Sequence, residues 1–91
     1  MDLAIHHQAA AQRFVAQVEG GEAECVYRLH GGVMDIVHTE VPPAAEGRGI
    51  AAALVRAALA HARSDGLRVR PSCSYVRSYM RRHADTQDLL A

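Results

Sequence analysis

The stretch Glu46-Gly47-Arg48-Gly49-Ile50-Ala51 decides how this chain is read. Pro42-Pro43 closes the pattern before it, and a long amphipathic helix opens after it. Upstream, apolar residues repeat every second position, as on a strand; downstream, they repeat at the helical period. A glycine-rich turn running into a helix N-terminus is also an anion site. Its N–H groups lack partners within the helix, and the dipole favours negative charge there. The junction therefore marks a change of secondary structure and the place where a phosphorylated ligand is expected.

Working back from the junction, Gly20-Gly21 and Gly31-Gly32 are hairpin signals, because glycine supplies the positive φ that tight turns need. They divide the first half into strands. Arg13 to Glu19 sets Phe14, Ala16 and Val18 on one face. Glu22 to His30 sets Ala23, Cys25, Tyr27 and Leu29 against Glu24, Val26, Arg28 and His30. Val33 to Glu40 completes an antiparallel meander, with a weaker strand expected at Leu3 to His6. Proline cannot donate to a ladder, so Pro42-Pro43 ends the sheet segment.

Working forward, a helix is predicted from about Gly49 to Asp65. Ile50, Ala53, Leu54, Ala57, Ala58 and His61 form its apolar stripe, and Gly66 its C-cap. Leu67 to Arg70 reads as a short strand stopped by Pro71, and Ser72 or Ser74 as the cap of a second helix covering Tyr75, Val76, Tyr79 and Met80. Strand, helix, strand implies a parallel pair joined by a crossover helix. The expected fold class is α+β: an antiparallel meander plus one parallel crossover strand, with two main helices, forming a single domain over residues 1–91.

Composition bounds the function. Ninety-one residues, 49% hydrophobic, make one small globular domain with a limited core. Arg56 and Arg63 interrupt the best apolar run, so no membrane span is expected, and the N-terminus has no secretory pattern. The expected location is the cytoplasm, and the chain is expected to be a monomer. Cys25 and Cys73 lie far apart and read as free thiols. The net charge of zero hides an asymmetry: two arginines against seven acids in residues 1–46, then eight arginines against three acids in residues 47–91. The basic half begins at the glycine turn, which suits a polyanionic ligand. There is no lysine, so a lysine nucleophile or Schiff base is excluded.

Three motifs share one resemblance. His38-Thr39-Glu40-Val41-Pro42, Gly47-Arg48-Gly49-Ile50-Ala51 and Pro71-Ser72-Cys73-Ser74-Tyr75 resemble the minimal GNAT-like N-acetyltransferase family. The superfamily's acetyl-CoA loop reads Arg/Gln-x-x-Gly-x-Gly/Ala. Gly49 and Ala51 match its last two positions, whereas Glu46 stands at the first. The resemblance covers roughly residues 3–90. It implies a mixed sheet that splays after the fourth strand, with coenzyme A in the splay and its pyrophosphate on the amides after Gly47. The cofactor-binding set it implies is Val41, Gly47, Arg48, Gly49, Ile50, Ala51, Ala52 and Cys73, with acetyl-CoA as co-substrate and an unidentified amine as acceptor. The chain is shorter than ordinary members and lacks the early helices that usually shape the acceptor site.

Each candidate catalytic residue has a plainer reading. Cys73 stands where the family has a cysteine near the thioester, and a helix directly after it favours the thiolate; alternatively it is a small apolar filler. Glu40, with His38 on the same strand face, is placed as a general base, directly or through water; the plainer readings are a turn carboxylate and a structural histidine. Tyr75 and Tyr79, four apart on one helix face, are candidates to protonate the departing thiolate, or packing residues with bonded hydroxyls. Among Arg48, Arg77, Arg81 and Arg82, only Arg48 lies inside the loop. His6, His7, His30, His61 and His83 show no ligand spacing, so no metal site is expected.

The leading expectation is an acetyl-CoA-dependent N-acyltransferase, working by direct transfer or through an acetyl-Cys73 intermediate. A coenzyme A-binding module without turnover is the alternative. Nucleic-acid binding is disfavoured, because the few aromatics are not interleaved with the arginines.

Overall fold

A computed structural model describes residues 3–91. Its five strands are β1 (His6–Gln8), β2 (Arg13–Val18), β3 (Gly21–His30), β4 (Val33–Glu40) and β5 (Arg68–Pro71), joined in that order in one sheet. The first three pairings are antiparallel, and β4 pairs with β5 in parallel across the helix α1 (Ile50–Ser64). A second helix, α2 (Ser74–Arg82), follows β5. The mixed α+β architecture is the expected one. No helix among the described residues is long and apolar enough to cross a membrane.

Both glycine pairs make the turns assigned to them, with positive φ at Gly20, Gly31 and Gly32. The helix α1 ends in a full glycine cap. Gly66 has φ 68°, its N–H donates to the Arg63 carbonyl, and the Leu67 N–H donates to the Ala62 carbonyl at 2.8 Å. Phe14, Ala16, Ala23, Cys25, Tyr27, Met34, Ile36 and Val69 form one buried sheet face, covered by Ile50, Leu54, Ala58 and Ala62 of α1 and Val76 and Met80 of α2. Burying a side chain such as Ile36 or Leu54 contributes roughly 1.5–3 kcal/mol each. That is enough to hold both helices to a single face and leave the other free of helices.

The boundary expectations need correction at three places. The first strand is His6–Gln8, not Leu3–His6. Leu3 and Ile5 pack against the core without joining the ladder, while His7 pairs with Phe14. Pro71 does not stop β5 but ends it in register with Ile36, because a terminal edge position does not require its missing N–H. Neither Ser72 nor Ser74 caps α2. Cys73 is the N-cap residue (φ −73°, ψ 130°), since its N–H still donates to the Ile36 carbonyl at 2.9 Å and keeps it extended. The Ser72 hydroxyl is turned instead to Asp35.

One irregularity in the sheet governs the site. Tyr27 pairs with Ile36, but Val26 pairs with His38, so Val37 is an extra residue in β4. Beyond this bulge the side chains change faces. Thr39 joins Cys25 on the helix-covered side, while His38 and Glu40 turn to the open face beside Val26 and Glu24.

Candidate active site

The chain leaves β4 through Val41 and a short turn, Pro43–Ala45, and enters α1 at Gly49. Gly47 and Gly49 have φ 80° and 77°, and no heavy atom lies within 4 Å of where a Cβ would stand on either. No side chain caps α1, and no acidic residue stands in its first turn. The amides opening the helix face an open cleft of about 360 Å³ lined by Val41, Ala45, Glu46, Gly47, Gly49, Ile50, Ala51, Ala52 and Tyr75. Unpaired amides at the positive end of a helix dipole, in a cleft with apolar walls, can hold a phosphate group.

Six of the expected cofactor residues (Val41, Gly47, Gly49, Ile50, Ala51 and Ala52) line this cleft. Arg48 does not. Its guanidinium donates to Glu19 at 3.0 Å across the β2–β3 turn and borders a different cleft with Leu3, Ala4 and Gln17. Arg77 donates to the Ser72 carbonyl at 3.1 Å, bracing the turn into α2.

Cys73 sits half-buried where β5 gives way to α2, its sulfur 3.6 Å from the Thr39 hydroxyl. Burial alone acts to raise its pKa. Backbone hydrogen bonds at Val76 and Tyr75 and the Thr39 hydroxyl outweigh that, so the thiol titrates below its usual range. Cys25 is the contrast. Fully buried in β3, it is pushed up to about 12 by desolvation and stays a thiol at neutral pH.

His38 and Glu40 lie together on the open face, with Nε2 and Oε1 3.0 Å apart, and both are exposed. Glu24 stands directly opposite Glu40. The donor atoms of Glu24, His38 and Glu40 all lie within 4.8 Å of one another, a convergence the histidine spacing did not disclose. Within the protein these groups are already matched, Glu24 by Arg13 at 2.8 Å and Glu40 by His38.

The two tyrosines are separated. Tyr75 is half-buried and borders the glycine-loop cleft. Tyr79 is 5% exposed, stacks on His83 at 3.9 Å, and lines a second cleft with Arg56, Leu59 and Leu89. The residue that sequence reading passed over is Thr39. It was quoted in a motif without a role, because strict alternation from Met34 would turn it to the open face.

The mixed five-stranded sheet with its crossover helix and glycine-loop cleft is a GCN5-like N-acetyltransferase fold. The sequence profile of the family described as GCN5-related N-acetyl-transferase matches residues 13–89. The chain belongs to that family. It is 32% identical over 80 residues to the proteins named NATD1 of Gallus gallus and Homo sapiens, matching 85% of this chain and 73% and 71% of theirs. The fold matches the NMR solution structure of a GCN5-like protein from Staphylococcus aureus with a TM-score of 0.79. That likeness has 27% identity and covers 98% of this chain and 88% of the other.

Proposed function

We propose that this domain moves an acetyl group from acetyl-CoA to a primary amine, with Cys73 as the carrier. The observation that carries this reading is the cleft running from the uncapped start of α1 to Tyr75, two residues beyond Cys73. Cys73 itself does not line the cleft, so in this reading a pantetheine arm anchored at residues 47–52 extends past Tyr75 to reach the thiol.

The steps balance as follows. The Cys73 thiolate attacks the thioester carbonyl, and the carbon–sulfur bond to coenzyme A breaks. The departing thiolate takes a proton from the Tyr75 hydroxyl. The amine then attacks acetyl-Cys73. Glu40 lies on the opposite face of the sheet from Thr39, which the Cys73 sulfur touches, so the amine's proton passes to Glu40 through water, and Cys73 returns as thiolate. Tyr75 is reprotonated from solvent. His38, bonded to Glu40, holds the carboxylate in place. The lowered thiol pKa at the start of α2 favours this route over direct attack of the amine on acetyl-CoA.

Brief mixing with acetyl-CoA in the absence of acceptor, an acid quench and peptide mass spectrometry provide the test. Acetyl is expected on Cys73 and not on Cys25. A Cys73→Ser protein that retains full transfer to an amine would overturn the carrier role and leave direct transfer. Retention of coenzyme A with no transfer to any of a broad amine panel would reduce the domain to a binding module.

A further inference from the structure

We propose that Thr39 is the positioning residue for the Cys73 thiolate: its hydroxyl receives the Cys73 S–H and turns to donate to the sulfur once that proton is lost. The proposal rests on reading Cys73 as the acetyl carrier, but it concerns a thiol that can be measured without acetyl-CoA.

The geometry comes from the β4 bulge. Thr39 is the direct cross-strand partner of Cys25, and its Oγ1 lies 3.6 Å from the Cys73 sulfur. Were β4 paired without the bulge, Val37 would stand opposite Val26 and Thr39 opposite Glu24, on the open side of the sheet and away from both sulfurs.

Hydrogen-bond arithmetic then sets the direction. A threonine hydroxyl has one proton to give and two lone pairs to receive with. Cys25, completely buried opposite Thr39, stays protonated at neutral pH and offers no competing anion. When Cys73 is a thiol, its S–H points to Oγ1, the arrangement seen here. When Cys73 loses its proton, the sulfur becomes an acceptor only, and the Thr39 proton turns to it. Charge-assisted hydrogen bonds are the stronger kind, so this bond favours the ionised sulfur. The β-branched side chain restricts χ1 and holds the hydroxyl beside the Cys73 sulfur. Thr39 touches no atom of the acetyl group in this scheme and acts through Cys73.

The test is the pH dependence of Cys73 alkylation by iodoacetamide, read on the Cys73 peptide by mass spectrometry. Thr39→Val keeps the shape and removes the hydroxyl. Its alkylation midpoint is expected to rise by about one pH unit, a roughly tenfold smaller thiolate fraction below the midpoint. Thr39→Ser is expected to restore most of the shift. Circular dichroism establishes that each variant is folded; Thr39→Ala reports the same midpoint if Thr39→Val does not fold. An unchanged midpoint in a folded variant lacking the hydroxyl, or a Thr39→Ser protein no different from Thr39→Val, overturns the proposal. A shifted midpoint together with no acetyl on wild-type Cys73 upholds Thr39 and refutes the carrier reading instead.

Discussion

Gly47 and Gly49 are needed for their backbone angles. Both have positive φ, and a Cβ on either would meet nothing within 4 Å. The loop is therefore open where a Cβ would stand, and its backbone holds conformations that other residues rarely adopt. Ala51 completes this surface from the first turn of α1. A carboxylate there competes with a pyrophosphate for the same amides and repels it. Ala51→Glu should leave the fold intact, since Ala51 is only half-buried and an acidic residue suits a helix N-terminus. Calorimetry should show coenzyme A binding weakened by about 100-fold or more, as unfavourable like-charge contacts cost several kcal/mol. Unchanged affinity in a folded variant would remove the pyrophosphate from this loop.

At the scale of elements, what was legible was local. Glycine pairs marked both hairpins, the change of period marked the crossover helix, and the quoted loop became the lining of a cleft. What was not legible depended on pairing between segments. The Val37 bulge exists only in the register of β4 against β3, so alternation alone cannot place Thr39 beside Cys25. Cys73 became the N-cap because its N–H reaches Ile36, a contact no spacing encodes. The edge strand β1 has three residues and no apolar stripe. What fixes it is His7, stacked on Phe14 at 4.1 Å, edge-on to His61 at 4.4 Å and bonded to the Tyr27 hydroxyl. This attachment makes β1 sensitive to acid. Burial first, and His61 second, lower the His7 pKa, while Asp65 acts the other way. An unfolded histidine gains its proton near pH 6.5, the folded His7 only below that. The unfolded state binds more protons over that interval, so the His7 contribution is fully present above about pH 6.5 and is lost as pH falls. His7→Phe keeps a ring against Phe14 but cannot titrate. Its melting temperature should lie below wild type near pH 7.5 for want of the Tyr27 bond, worth about 1 kcal/mol, and the two curves should converge as pH falls below about 6.5. Parallel curves would show that His7 is not the acid-sensitive group.

The helices cover one side of the sheet, and the other side is mostly polar around the buried Val15, which bears on assembly. The helix-free face carries Arg13, Gln17, Glu22 and Glu24, joined in one hydrogen-bonded network, beside the His38–Glu40 pair. Among the described residues the exposed large hydrophobics are Leu29 and Val37, single side chains rather than a contiguous patch. The sheet edges are blunted as well. One is the three-residue β1, too short to template another strand. The other, β5, is closed on its outer side by the Val69–Leu90 bridge and by the Ala91 N–H donating to the Val69 carbonyl at 2.9 Å. A stable homodimer needs a sizeable, well-packed and largely apolar interface, and neither this face nor these edges supply one. Among the described residues no helix covers this face, so in the proposed scheme an acceptor can approach Glu40 there. Sedimentation velocity across the micromolar range should therefore give a single species of 9.8 kDa, with or without coenzyme A. A concentration-dependent dimer would mean that a second copy covers this face. The acceptor would then have to reach the site between two subunits, and a Glu24→Arg variant, placing a new cation on the face, should shift that dimer equilibrium.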